Sequence, residues 1–199
     1  TGDGIVYGIT ATTFGNGYPS TLAVVDPFAR DGVVVAESIG AVNGNIFCNA
    51  LTWFDGVAYC ANRNQFLTLD LATAVTTSIG FDTSGSLNNG GGLAATADGT
   101  FFNIVRPDMA ATTRQLYTVD IVTATRQLPA VEVDVVGRPV AMAVHNGELY
   151  VSAAQPPVGS PVVETDIVRL DPATGSVTLI KTVPGYVHAL THIGSATPL

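Results

Sequence analysis

IVRLDPATGSVTLI, residues 167–180, is an alternating apolar run, an aspartate, a short turn and a second alternating run. Three earlier stretches share that layout: TLAVVDPFARDGVVVAESI (21–39), FLTLDLATAVTTSIG (66–80) and QLYTVDIVTATRQLPAV (115–131). Each reads as a β-hairpin, because side chains alternate across a strand and an Asp-containing turn ends the first run. The anchoring residues Asp26, Asp70, Asp120 and Asp171 are spaced by 44, 50 and 51 residues. Self-similarity at that period is the signature of solenoids and propellers.

A second hairpin precedes each of the last three. ALTWFDGVAYCAN (50–62), GLAATADGTFFNIV (92–105) and AMAVHNGELYVSA (141–153) each place an Asp-Gly or Asn-Gly turn between a small-residue strand and an aromatic-bearing one. Such turns between alternating runs are strong hairpin signals. At the termini this unit is split: DGIVYGIT (3–10) has the turn and second strand, while VHALTHIG (187–194) has only a first strand. Four repeats of four strands follow, with 188–193 and 4–40 forming one repeat and 49–80, 91–134 and 139–183 the others. The expected fold is all-β, a four-bladed β-propeller of four antiparallel strands per blade, one blade closed by N- and C-terminal strands. Closing a ring in this way pairs edges that an open array would expose.

Composition agrees with one ordered, turn-rich domain over residues 1–199. Hydrophobic residues make up 47% and charged residues 12%, with 21 Gly and 11 Pro. No apolar run reaches the length of a membrane span. The net charge is −8 and Lys181 is the only lysine, so a nucleic-acid backbone would be repelled and is not expected as a partner. The small residues of the first strands, such as Ala50, Gly92, Ala94, Ala141 and Ala189, suit crowding near a narrow axis and favour a closed monomer. Two chains completing an eight-bladed ring would use the same strands.

The GLAATADGTFF and AMAVHNGELYV hairpins, with LYTVDIVTAT and VRLDPATGSV, resemble the blades of secreted bacterial β-propeller repeat proteins of the quinoprotein-like or YVTN-like kind. The resemblance covers essentially the whole chain and implies the propeller fold. It does not imply one activity, since such propellers serve as lectins, scaffolds, lyases and hydrolases. Relatives commonly have six to eight blades where this chain has four repeats, so their active sites do not transfer.

Cys48 and Cys60 flank one expected hairpin. A disulfide between them would imply an oxidising compartment. The alternative is a pair of small buried hydrophobes, because a two-residue turn register puts the two side chains on opposite faces. With few lysines and a TGDG start suggestive of processing, the expected location is secreted or periplasmic.

In a propeller the hairpin turns after the first and third strands of each blade share one face and the remaining connections the other. Here that second set is expected to hold every long loop, 11–20, 40–48, 81–91, 106–114 and 154–165, and long loops on a rigid ring carry binding groups. At the axial mouth the reading places Asn49, Arg138 and His188, with Tyr18, Arg106 and Tyr186 on surrounding loops. Arg114 and Asp166 add further polar groups. Such a mixture suits a carbohydrate or protein ligand. The function expected is a non-catalytic extracellular binding module with no cofactor. The alternative is a small secreted hydrolase or lyase using His188 with Asp108 and Glu164.

Other chemistries fit the spacing poorly. His188 and His192 lie about 13 Å apart along a strand, too far to share a metal. Asp82, Ser84 and Ser86 alternate as calcium ligands do, but Leu93 stands where a bidentate carboxylate is required. Hydrogen bonds within that turn are the simpler expectation, so no metal site is assigned. The four repeated aspartates are likewise expected to accept from backbone N–H groups two and three residues later. Trp53, Phe54, Tyr59, Phe101, Phe102, Tyr117 and Tyr150 are expected to pack between blades.

Overall fold

A computed structural model describes residues 6–11, 20–26, 35–42, 48, 50–62, 65–81, 92–105, 113–135, 137–155 and 164–185. These residues are all strand, turn or irregular chain, and among them no helix is long and apolar enough to cross a membrane. The strands form four separate antiparallel sheets, each built from consecutive segments. The first holds β1 (Val6–Ala11), β2 (Ser20–Asp26) and β3 (Val35–Ala41). The second holds β4 (Ala50–Phe54), β5 (Val57–Asn62), β6 (Gln65–Leu69) and β7 (Thr76–Phe81). The third holds β8 (Leu93–Ala95), β9 (Phe101–Val105), β10 (Arg114–Asp120), β11 (Thr125–Arg126) and β12 (Val131–Val133). The fourth holds β13 (Arg138–His145), β14 (Glu148–Gln155), β15 (Glu164–Leu170) and β16 (Val177–Pro184). Segment 188–193, expected to complete the first sheet, lies outside the described residues.

Local chemistry sets the registers. Asp55-Gly56 and Asn146-Gly147 have φ of 46° and 79°, and 51° and 78°, the left-handed pair that matches strand twist in a two-residue turn. Phe54 then faces Val57, and His145 faces Glu148. The Asp turns close differently. Asp70 Oδ1 accepts from the Ala72 and Thr73 N–H groups at 2.8 and 3.3 Å, and Asp120 Oδ1 from Val122 and Thr123 at 2.9 and 3.3 Å. Asp171 Oδ1 accepts from Ala173 at 2.9 Å. Four residues after each of these aspartates comes a left-handed residue: Ala74, Ala124 and Gly175.

The outer strand of the third sheet departs from the simple hairpin. β11 and β12 both pair with β10, and the residues between them leave the ladder around Pro129, which has no N–H to contribute. The outer strands of the other sheets each carry a bulge at an isoleucine the sequence reading did not foresee. Ile39, Ile79 and Ile180 are the residues without a cross-strand partner where β3, β7 and β16 shift register.

Packing between sheets repeats from one junction to the next. Leu22 and Val42 of the first sheet meet Ala58, Leu69 and Ala74 of the second. Ala61 and Phe66 of the second meet Leu93, Phe101, Val119 and Ala124 of the third. Ile104, Leu116 and Val133 of the third meet Met142, Leu149, Val151, Val168 and Leu170 of the fourth. At every junction the left-handed residue of one Asp turn seats on the outer strand of the preceding sheet. Ala74 lies opposite Gly40, and Ala124 lies so close to Gly80 that an added Cβ would fall 2.9 Å from the alanine methyl. At the third junction the roles exchange: Gly175 seats on Val131 and Glu132, and a Cβ there would fall 1.8 Å from the Glu132 carbonyl oxygen. Asp134 N–H donates to the Gly175 carbonyl at 3.2 Å, joining the two sheets directly.

The far side of the fourth sheet is finished differently. Ile39 and Ile79 pack on the sheet that follows them, whereas Ile180 is 53% exposed. Glu148 accepts from both Arg169, at 2.8 Å, and the Tyr150 hydroxyl, at 2.9 Å.

Gly175→Ala would combine a left-handed side-chain penalty of about 1–2 kcal/mol with overpacking of about 1–3 kcal/mol. Urea unfolding should therefore show a loss of roughly 2–5 kcal/mol. Ala124→Gly, which removes one buried methyl group, should cost about 1 kcal/mol or less.

Candidate functional site

An antiparallel meander sends alternate connections to opposite ends of its sheet. One end therefore receives 12–19, 42–49, 63–64, 82–92, 106–113, 134–137 and 156–163. The other receives 27–34, the two-residue turns, 96–100 and the Asp turns. Most of the longer connections share the first end, together with the starts of β4, β8 and β13. These three strands run beside one another, and an added Cβ on Gly92, just before β8, would fall 2.5 Å from Met142 N in β13. Inner backbones approach this closely only where side chains are small or absent.

Two of the sequence-predicted site residues are placed at this end. Arg138 opens β13 opposite Ala154, and Glu164 opens β15 opposite Gln155. With β14 between them, their backbones lie about 10 Å apart, two strand spacings. The Glu164 side chain is exposed. Asn49, Tyr18, Arg106, Asp108, Tyr186 and His188 lie outside the described residues, as do Asp82, Ser84 and Ser86.

Arg114 and Asp166 were expected on the loop surface, and both take part in holding the strands instead. Arg114 is the first residue of β10 and is buried, with its guanidinium donating to the Thr113 and Gly137 carbonyls at 3.2 and 3.3 Å. It thereby ties the third sheet to the chain entering the fourth. Asp166 accepts from the Thr182 hydroxyl across the β15–β16 pair at 2.6 Å. Thr165, fully buried, donates to the Gly185 carbonyl at 2.6 Å.

A second brace runs through the third sheet. Arg126 Nε donates to Asn103 Oδ1 at 3.0 Å, and Asn103 Nδ2 donates to the Gly92 carbonyl at 3.0 Å. Both side chains are buried. The guanidinium sits between the Phe66 and Tyr117 rings, 5.7 and 5.8 Å from their centroids, where aromatic faces favour a cation. Composition and spacing did not single out Asn103 or Arg126. The available signal was a polar residue at a position where strand alternation calls for an apolar one.

Cys48 and Cys60 form a disulfide with Cα atoms 5.7 Å apart. The opposite-face argument applies to residues inside the ladder, where Leu51 faces Cys60. Cys48 lies before β4 and is free of that alternation. The bonded pair is buried, packed on Leu67, and the structure has the disulfide in place of two unbonded buried thiols. The bond anchors the chain beside Asn49.

No protein-family model matches the sequence, and no curated relative is found. Among solved structures the chain is similar to a glycoside hydrolase family 43 arabinoxylan arabinofuranohydrolase from Bacillus subtilis, determined in complex with cellotetraose. The TM-score is 0.47 at 13% identity, over 87% of this chain and 51% of that one. The chain thus spans about half the length of that enzyme.

Apart from the connection 27–34, the opposite end consists of short turns, several of them bonded to themselves. Carboxylates of Asp70 and Asp171 are held below the ordinary aspartate range chiefly by the N–H groups of Ala72 and Ala173. Those of Asp98 and Asp120 are lowered first by the hydroxyls of Thr96 and Thr123. This accounts for the repeated aspartates as turn formers. Tyr59 and Phe54 stack edge-on to Phe101 at 4.9 and 5.5 Å, as packing between sheets requires. Trp53 differs from that expectation: it is 38% exposed.

Since these carboxylates titrate lower in the folded chain than in the unfolded one, their stabilisation is fully present above the unfolded value. It is lost as pH falls through the folded values. Urea midpoints should hold from neutral pH and fall below about pH 4. Replacing Asp70, Asp120 and Asp171 by Asn, which keeps an acceptor oxygen without its titration, should flatten that acid limb.

Proposed function

We propose that the chain is a four-bladed β-propeller acting as a non-catalytic extracellular binding module through its loop-bearing end, with a carbohydrate or a protein as ligand. The observation that carries this reading is the asymmetry of the connections. Short, self-bonded turns dominate one end, and most of the longer connections are mounted on strands braced by Arg114, Asn103 and Thr165 at the other. A rigid frame with adaptable connections gathered on one side is the usual design of a recognition surface. Residues 188–193 would complete the first sheet, giving one domain with blades at 188–193 plus 4–40, 49–80, 91–134 and 139–183. Asn49, Arg138 and His188 would then face the axial mouth, with Tyr18, Arg106 and Tyr186 around it. The Cys48–Cys60 disulfide favours an oxidising, secreted or periplasmic setting.

Screening of the intact chain against a glycan panel and candidate extracellular proteins should yield a saturable ligand that is released unchanged. The pair His188→Ala and Arg138→Ala should weaken it about tenfold, a loss of about 1.4 kcal/mol, with Tm retained. Empty screens of both kinds, or turnover of the ligand, would overturn the reading.

Ring closure has its own test. Deleting residues 1–10 removes most of β1, whose partner is β2. In a closed ring the cost should rival the whole stability of a domain, about 5–15 kcal/mol, and abolish cooperative thermal unfolding. A truncated chain melting at the full-length temperature would exclude closure.

A further inference from the structure

At the short-turn end, Trp53 and Asp55 stand at the tip of the β4–β5 hairpin. Trp53 is the only tryptophan in the chain. With Phe54 they form one side of an open cleft of about 330 Å³, whose other side is Ala95, Thr96 and Ala97 at the end of β8. The walls are firm. Phe54 is fixed edge-on against Phe101 at an interplanar angle of 77° and rests over Gly99. Asp55 is held by the Asp-Gly turn.

The cleft's polar inventory is lopsided. The Thr96 hydroxyl is engaged with the Asp98 carboxylate and the Thr100 carbonyl. No hydrogen bond or ion pair engages the Trp53 indole N–H or the Asp55 carboxylate among the described residues. Among the described residues this leaves an exposed indole and a carboxylate without a partner, on a chain of net charge −8. An anion is disfavoured by both charges. A neutral polyol needs convergent donors as well as acceptors, and the lining side chains leave only the indole N–H. An organic ammonium needs no donor: a quaternary one needs no hydrogen bond at all, and a primary one needs only acceptors, which the carboxylate supplies. Its charge is attracted by the aromatic face and the carboxylate, and its alkyl groups by the apolar walls.

We infer that the Trp53–Asp55 cleft binds an organic ammonium cation, either a free quaternary amine or the lysine side chain of a partner. This site lies at the end opposite the loop-bearing one and does not rest on the function proposed for that end.

Because Trp53 is the sole tryptophan, its emission reports on the cleft directly. The full-length chain is titrated with choline, with its neutral isostere 3,3-dimethylbutan-1-ol, with Nα-acetyl-lysine amide and with a neutral oligosaccharide. A saturable emission change with choline or with the lysine amide, absent with the isostere, is the expected result. A response to choline alone assigns a free quaternary amine, and one to the lysine amide assigns a partner side chain. Asp55→Asn keeps the turn, as Asn146-Gly147 shows in the neighbouring hairpin, and should weaken the cation about fivefold with Tm unchanged. The inference is overturned if neither cation acts, if the neutral isostere or the oligosaccharide acts as well as the cations, or if Asp55→Asn binds them undiminished.

Discussion

Each sheet is held to the next where the left-handed residue of an Asp turn touches the outer strand of its predecessor, and that contact sets how close the sheets can come. Ala74 over Gly40 and Ala124 over Gly80 place a methyl group against bare backbone. Gly175 over Val131 and Glu132 reverses the arrangement, with the turn giving up its side chain where the strand keeps one. One side of every contact is small. The apolar clusters at the three junctions assemble at the distance this contact allows, since interiors tolerate neither gaps nor overlap of even one methyl group.

The bulges belong to the same design. An extra residue at Ile39 or Ile79 sharpens the twist of the outer strand, next to the glycine that receives the following turn. Both isoleucines pack on the next sheet. Ile180 has the same place in β16 but is exposed, and Lys181 stands where β3 and β7 have glycine. The outer strand of the fourth sheet thus presents a more polar face than those of the first and second.

This frame divides labour between its ends. Where the inner strands begin, backbones crowd together and buried polar groups tie the entering chain: Arg126 through Asn103 to Gly92, and Arg114 to Gly137. Each buried group finds a partner, as desolvation demands. The longer connections at that end rest on a support with little freedom of its own. At the other end the turns satisfy themselves, leaving the Trp53–Asp55 hairpin tip to face solvent with unspent chemistry.

Much of this was legible in residues taken singly or in short runs. The Asp turns at 70, 120 and 171, the Asp-Gly and Asn-Gly hairpins and the grouping into four meander units follow from local rules: alternation along a strand, and side chains that bond their own backbone. The SIG tripeptides at 38–40 and 78–80 held the bulges in plain view, yet nothing local says that a glycine there receives a methyl group from the next sheet. Arg114, Asn103, Arg126 and Trp53 were likewise open or misjudged, because the strand pattern says which face a side chain is on and not what lies across from it. By itself the order of residues determined most of the described strands, the Asp-Gly, Asn-Gly and Asp turns, and the antiparallel pairing of consecutive strands. Tertiary packing alone decided which polar groups became braces and which aromatic residue stayed in water, since burial is set by neighbours that are distant along the chain.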